Sequence, residues 1–517
     1  MTSFSRRDLL RRSARTGTAI TLGGAAMSLL DQLPAGAMPA GGYGPLVTDP
    51  AQVIDLPAGF SYKVYGATPN TAANAQPTTF LSDVNGALSS VPLPNKADGA
   101  AVFGIDGGRL AFVLNHECEN DATGRVPKSP DLVDPSRVFN PSTDFSFGGT
   151  TTVVVDPTTL GPDGFPTFER AYTSLSGTTK NCAGGKTPWN TWLSCEEVEK
   201  IPGGVKHGYV FEVDPTGAQT VATPYRAMGR RSHEAAAVDP TTGSVYLTED
   251  ANGPRGLVYK FVPNDTSGTY GSLGNGGALL AMGASQNGTH VPDLAYVNTP
   301  GTVLQVTWTT IPDPDFTTTP NRAQLADNQV TRARKYEGIW WGDGDAWIVS
   351  SYSDAGAAAP GTDHRGQIWR YNPVDETLTL VFHAAPGSFF DGPDNIVVTP
   401  HGGALLCEDG NNPNKYLVGI AGQGPDYGGW ALAKNTYNGS EFAGADFSPD
   451  GKFLFVNMYA PGLVVAITGP WAGTGPDPVI PESPLTVALP VTAAAAAAGG
   501  LYWLRNRRVD ESGATPV

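Results

Sequence analysis

His233-Glu234-Ala235-Ala236-Ala237-Val238-Asp239-Pro240-Thr241-Thr242-Gly243-Ser244-Val245-Tyr246-Leu247-Thr248-Glu249-Asp250 decides the fold. A run of small apolar residues leads into a Pro- and Gly-bearing turn at Asp239 to Ser244, and an alternating stretch follows. That order predicts a β-hairpin with a polar pair at its opening and an acidic pair at its close. A hairpin folds back on itself, so both polar ends reach one edge of the sheet while the apolar middle is buried.

Degenerate copies of the same unit lie at 98–117, 181–197, 337–354, 394–409 and 441–457. Six copies spaced by tens of residues are the sequence form of a β-propeller. Further strand signals at 208–213, 258–262, 367–371 and 378–382 would complete four-stranded blades. The expected fold is therefore all-β, a six-bladed β-propeller; a pair of β-sandwiches is the weaker alternative. The long inserts at 265–335 and between the first two copies are expected to form loops over one mouth.

Composition agrees. Gly (64) and Pro (44) exceed a fifth of the 517 residues, which favours turns over long helices. A formal net charge of -16 argues against nucleic-acid binding and suits a soluble exported protein or one that binds cations. Four cysteines (118, 182, 195, 407) are too few and too scattered for a disulfide framework.

Both ends are set apart from the propeller, expected over 41–475. Ser5-Arg6-Arg7-Asp8-Leu9-Leu10, an apolar run and Ala35-Gly36-Ala37 resemble a twin-arginine export signal over 1–40, read by the export machinery. In 476–517, an uncharged run from Leu485 to Leu504 precedes Arg505, Arg507 and Arg508. It has the length of a membrane-spanning helix and would leave the propeller outside the cell. Pro481-Glu482-Ser483 ahead of it also resembles a sorting signal, in which case the tail is removed. The expected location is extracellular or on the cell surface.

In a propeller the first strand of each hairpin lines the axis. Asp98, Asn181 or Cys182, Glu234, Glu337, Asp394 or Asn395, and Glu441 would ring one mouth. Glu117, Glu197, Glu249 or Asp250, Asp354, and Glu408 or Asp409 would form a wider ring there. Carboxylates so crowded, with no matching Lys or Arg in the pattern, cannot all stay ionised without bound cations. Oxygen ligands suit calcium, and a thiolate among them calls for iron or zinc. A lone strand-end acid is ordinarily a solvated turn residue, and Asp98, Asp354 and Glu441 stay closest to that reading. Cys195 and Cys407 precede an acid and face away from it, which core packing explains. Trp189, Trp192, Trp340, Trp341 and Trp369 read as packing between blades.

The stretches 181–197, 229–240 and 441–471 resemble the PhoX-type alkaline phosphatases, over about residues 45–471 in all. That resemblance implies a twin-arginine-exported six-bladed propeller that hydrolyses phosphate esters at an iron (Fe3+) and calcium (Ca2+) cluster. Cys182 matches the family's thiolate ligand to iron, and Glu197 the glutamate that follows it. Glu234, Glu249, Asp394, Glu408 and Asp409 match acidic positions of the cluster; Glu117, Glu337 and Asn395 join them from the two rings. Clustered cations would neutralise the phosphate and activate an oxygen nucleophile for in-line attack. A cation should hold the phosphoryl oxygens, with Arg230, Arg231 and Arg255 as candidates. The chain looks shorter than typical members, and Glu337-Gly338-Ile339-Trp340-Trp341 offers no phosphate-binding group.

The competing classes are a calcium-dependent propeller lactonase or esterase and a non-catalytic surface propeller with structural calcium. Cys182 separates them, because a thiolate has no evident use in a calcium-only site.

Overall fold

The computed structural model describes residues 42–65, 79–121, 123–353, 364–384, 388–411, 413–421 and 428–471. The export signal, the apolar tail and Asp354 fall outside them. Strands joined by turns and short 3-10 segments make up the described residues, with no α-helix among them. The architecture is all-β and propeller-like.

Each hairpin expected from the sequence forms as an antiparallel pair. Ala97–Gly104 pairs with Leu110–His116, Asn181–Lys186 with Trp192–Glu196, and His233–Val238 with Val245–Glu249. Tyr336–Gly342 pairs with Asp345–Ser350, Pro393–Val398 with Ala404–Glu408, and Phe442–Phe447 with Leu454–Met458. The first strands pack on one another in chain order, and the last returns to the first, so they enclose an axis. A sandwich pair is thereby excluded.

Small residues permit that approach. A methyl group on Gly185 would lie 1.8 Å from the Ala236 carbonyl oxygen, and one on Gly99 would lie 2.4 Å from Ala183 Cα. The space left on the axis among Gly99, Ala183, Gly338 and Gly444 is about 20 Å³, room for little more than a single water. The axis is therefore narrow at this level.

Outer strands complete the sheets. Val210–Val213 pairs with Trp192–Glu196, and Gly148–Leu160 with Leu110–His116. The 265–335 insert is not merely loop. Its strand Gly277–Gln286 extends the third hairpin's sheet, and Val303–Thr310 pairs with both that strand and Thr377–His383, fusing two sheets into one. Exposed main-chain groups on the outer edge of one sheet are thus covered by the next. Ser61–Val64 pairs with Leu463–Thr468, so an early strand completes the last sheet.

The apolar core lies between adjacent sheets. Trp192 and Trp369 are fully buried there, while Trp189, Trp340 and Trp341 pack partly buried against it. Cys195 and Cys407 are buried among apolar neighbours, as alternation implied. Buried polar ties also cross between sheets. Asn115, fully buried, donates to the Cys182 and Ala183 carbonyls and accepts from Trp192 Nε1 and Ser194 Oγ. Replacing Asn115 with Leu, similar in size, would strand these partners. It should lower stability by about 2–4 kcal/mol, read as an earlier guanidinium midpoint. An unchanged midpoint would mean that the tie is dispensable.

Candidate metal centre

The mouth of the axis is furnished by one local device, repeated. In five hairpins the ladder slips directly after its end pair: Ala97 with His116, Asn181 with Glu196, His233 with Glu249, Tyr336 with Ser350, and Pro393 with Glu408. The residue after each first partner therefore sits at the start of a β-bulge, which breaks strict alternation and re-aims its side chain. Those residues are Asp98, Cys182, Glu234, Glu337 and Asp394. In the last hairpin the slip comes one pair later and the corresponding residue is Ala443.

The wider ring comes from the first residue beyond each second strand: Glu117, Glu197, Asp250, Ser351, Asp409 and Tyr459. Five of them donate their backbone N–H to the residue that precedes the paired first strand, namely Lys96, Lys180, Lys335, Gly392 and Glu441. Both rings are thus tied to the same hairpin end.

Ligand atoms of Glu117, Cys182 and Glu197 lie within 4.8 Å of one another, as do those of Glu234, Glu337 and Asp394, and those of Asp394, Asp409 and Glu441. Asp394 is common to two groups. The Cys182 thiol lies 3.1 Å from Glu234 Oε1 and 3.4 Å from Asp98 Oδ2. Asp98, Cys182, Glu234 and Glu337 are buried, and Asp409 at the rim is exposed, so the arrangement is a bowl. Asp250 Oδ1 and Glu441 Oε2 are buried without a hydrogen-bond partner. Buried carboxylate oxygens left in that state are costly, and a hard cation would satisfy them. The donor set, many carboxylates with one thiol, fits a mixture of hard and softer metal ions.

Two ammonium groups, which the sequence pattern did not reveal, enter the bowl. Lys180 Nζ lies 3.0 Å from Glu117 and 2.8 Å from Glu197. Lys335 Nζ lies 2.7 Å from Glu337 and 3.7 Å from Asp250. Both lysines have left-handed backbones, with φ of 50° and 58°, and Gly392 occupies the corresponding place in another hairpin with φ of 57°. A side chain there costs about 1–2 kcal/mol in backbone strain that glycine avoids.

The charges do not balance. Nine carboxylates (Asp98, Glu117, Glu197, Glu234, Asp250, Glu337, Asp394, Asp409 and Glu441) face two lysines, a deficit of seven if all are ionised. Burial, then the charge of Glu117, pushes Asp98 up to about 7; burial and the charge of Asp250 push Glu337 up to about 7 despite Lys335. Burial first and neighbouring carboxylates next hold Glu234, Asp394 and Glu441 well above their ordinary values. Burial likewise raises the Cys182 thiol, helped by Asp98 and Glu234. A thiolate here needs a metal to support it. Burial pulls Lys180 down, but the charges of Glu197 and Glu117 outweigh it and hold the ammonium firmly protonated.

Several expected ligands are elsewhere. Glu249 is fully buried and accepts from Tyr259 Oη at 2.7 Å and Arg322 at 3.0 Å, so its neighbour Asp250 faces the bowl instead. Glu408 accepts the backbone N–H groups of Asp391 and Tyr416 at 3.0 Å each and braces a loop; Asp409 turns inward. Glu196 is the same kind of brace beside Glu197, accepting from Thr179, Gly208 and Tyr209 N–H groups and from His207. Asn395 reaches the axis, where its Oδ1 accepts from Gly444 N–H and its amide lies 3.4 Å from Asp98. It supports the first ring from behind.

The arginine candidates are also committed. Arg230 is buried on the His207 and Lys200 carbonyls, Arg231 is buried against Tyr259, and Arg255 pairs with Asp293 at 2.5 Å. Asp98 and Glu441, given the more ordinary reading, do enter the bowl. A serine–histidine–glutamate series also exists, with Ser146 Oγ 3.2 Å from His207 Nε2 and Glu196 2.6 Å from Nδ1. All three are closed to solvent, so no substrate reaches them and the series is structural.

The chain matches the family described as alkaline phosphatase PhoX over residues 41–462. No curated protein matches it in sequence. Among solved structures it is similar to Pseudomonas fluorescens PhoX in complex with vanadate, a transition state analogue. That likeness covers 82% of this chain and 97% of the other at 19% identity and a TM-score of 0.58. A gluconolactonase of Xanthomonas campestris is a looser likeness, at 11% identity and a TM-score of 0.35 over 73% of this chain and 87% of the other.

The placement of the paired acids is open to a direct contrast. Asp250→Asn and Asp409→Asn should lower bound metal, measured by elemental analysis. Glu249→Gln and Glu408→Gln should keep it and instead cost about 1–3 kcal/mol of stability. Metal loss confined to the second pair would reverse the assignment.

Proposed function

The chain belongs to the PhoX alkaline phosphatase family, and from that premise we propose that its acidic bowl hydrolyses phosphate monoesters, and also diesters, with bound iron and calcium. One observation carries the metal reading: three potential ligand groups share a single bowl, and one of them contains a thiol. Cys182 and Glu197 would hold iron. Glu234, Glu337, Asp394 and Asp409 would hold calcium, with Asp98, Asp250 and Glu441 completing the shell.

When bound, these ions would neutralise the phosphate and supply Lewis-acid activation for in-line displacement at phosphorus. The protein's own part is positioning. Lys335 makes one close contact, 2.7 Å to Glu337, and an ammonium has three N–H donors. Its remaining donors would bind the phosphoryl oxygens, since Arg230, Arg231 and Arg255 are engaged elsewhere.

We further read the fold as six blades, one per hairpin, spanning 41–475; the ring of first strands and the closing pair of Ser61–Val64 with Leu463–Thr468 support that count. The twin-arginine motif supports export already folded, to the cell surface or beyond, where phosphate esters are available as substrates. The apolar run after Leu485 would act as a membrane anchor unless it is removed.

Elemental analysis combined with nitrophenyl phosphate turnover tests this reading. Iron, calcium and chelator-sensitive phosphate release are expected; calcium alone with no release would refute the phosphatase centre. Cys182→Ala should lose iron. Lys335→Met should lower kcat by about 100-fold or more while metal content stays at the wild-type level.

A further inference from the structure

Lys180 and Lys335 occupy matching places in their hairpins, yet their bonding differs. Lys180 binds one oxygen of each of two carboxylates, Glu117 Oε1 at 3.0 Å and Glu197 Oε2 at 2.8 Å. Glu117 gives its other oxygen to the Tyr459 hydroxyl. Both Glu117 oxygens are therefore engaged by protein donors, although Glu117 belongs to a group spaced to hold a metal. Lys335 has one short contact, and its second lies at 3.7 Å.

Lys96 holds the same place in the first hairpin with φ of 52° but pairs with Asp121, so it is the bonding that marks Lys180 out. The Lys180 φ of 50° is one that glycine adopts without strain, and Gly392 does so in another repeat. The neighbouring donor is also a fixed part of the ring, since Tyr459 is the first residue past its strand. An ammonium between two carboxylates supplies one positive charge and two hydrogen bonds with no need of loading from solution.

We propose that Lys180 is a resident cation of the centre, holding Glu117 and Glu197 together in place of a divalent ion. This corner then takes one metal fewer than its carboxylates would otherwise hold, leaving Glu197 Oε1 and the Cys182 sulfur for a single ion. Glu117 is a positioning residue that reaches the centre through Lys180. The inference rests on the metal-centre reading above.

Calcium titration by calorimetry, with elemental analysis, tests it on the full chain. Lys180→Met should bind one more calcium per chain than the wild type, with a larger rise in Tm on adding calcium. Lys180→Arg should match the wild type in both. Wild-type stoichiometry in Lys180→Met, with or without tighter binding, would overturn the proposal, because the ammonium would then merely give way to metal. Glu117→Gln provides a check that does not depend on Lys180→Met folding. It should retain the full metal content, and loss of one metal would make Glu117 a ligand and sink the idea. Absence of iron from the wild type would defeat the iron assignment while leaving the calcium comparison decisive.

Discussion

A β-strand sends successive side chains to opposite faces, and the whole mouth of this protein depends on breaking that rule at one place. Each first strand must pack its flanks against two neighbours, which reserves its side chains for the sheet faces. A bulge directly after the end pair releases one residue from that duty. Where it recurs, at Asp98, Cys182, Glu234, Glu337 and Asp394, a functional group reaches the axis. The braces Glu196, Glu249 and Glu408 and the small residues below are what make the break tolerable. They hold the adjoining loops and let the backbones come together.

Much of this was legible because it repeats. The hairpins were visible from turn residues flanked by apolar runs, and their polar ends announced a shared mouth. Cys182 stood out by chemistry, since a thiol among carboxylates has few ordinary explanations. The doublets Glu249-Asp250 and Glu408-Asp409 could not be resolved from composition. Their roles turn on where the strand stops, and one residue decides whether an acid braces a loop or enters the bowl. The lysines were hidden for a related reason. Lys180 and Lys335 precede their strands, in left-handed positions that nothing in the residue type declares. The insert at 265–335 reads as loop because one of its strands, Val303–Thr310, is held also by Thr377–His383, far along the chain.

Electrostatics separates this bowl from an ordinary acidic surface. Exposed acids repel weakly in water, but here burial raises the cost of every charge. Two lysines offset part of it, and protonation of the most buried carboxyls relieves more. Multivalent cations would displace those protons and meet side chains already in place. Such cations would also supply the positive charge that a phosphate ester needs to enter.

The pairing of Ser61–Val64 with Leu463–Thr468 bears on the order of events during synthesis. The last sheet is finished by a strand that precedes every hairpin in the chain, and bowl residues are spread from Asp98 to Glu441. A growing chain on the ribosome therefore presents an open arc whose early acids have no opposite rim. Until Leu463–Thr468 emerges, the centre is geometrically incomplete, so ions captured earlier would sit in a partial shell. The seam between early and late strands would therefore act as a clock, with full loading of any metal following closure of the ring.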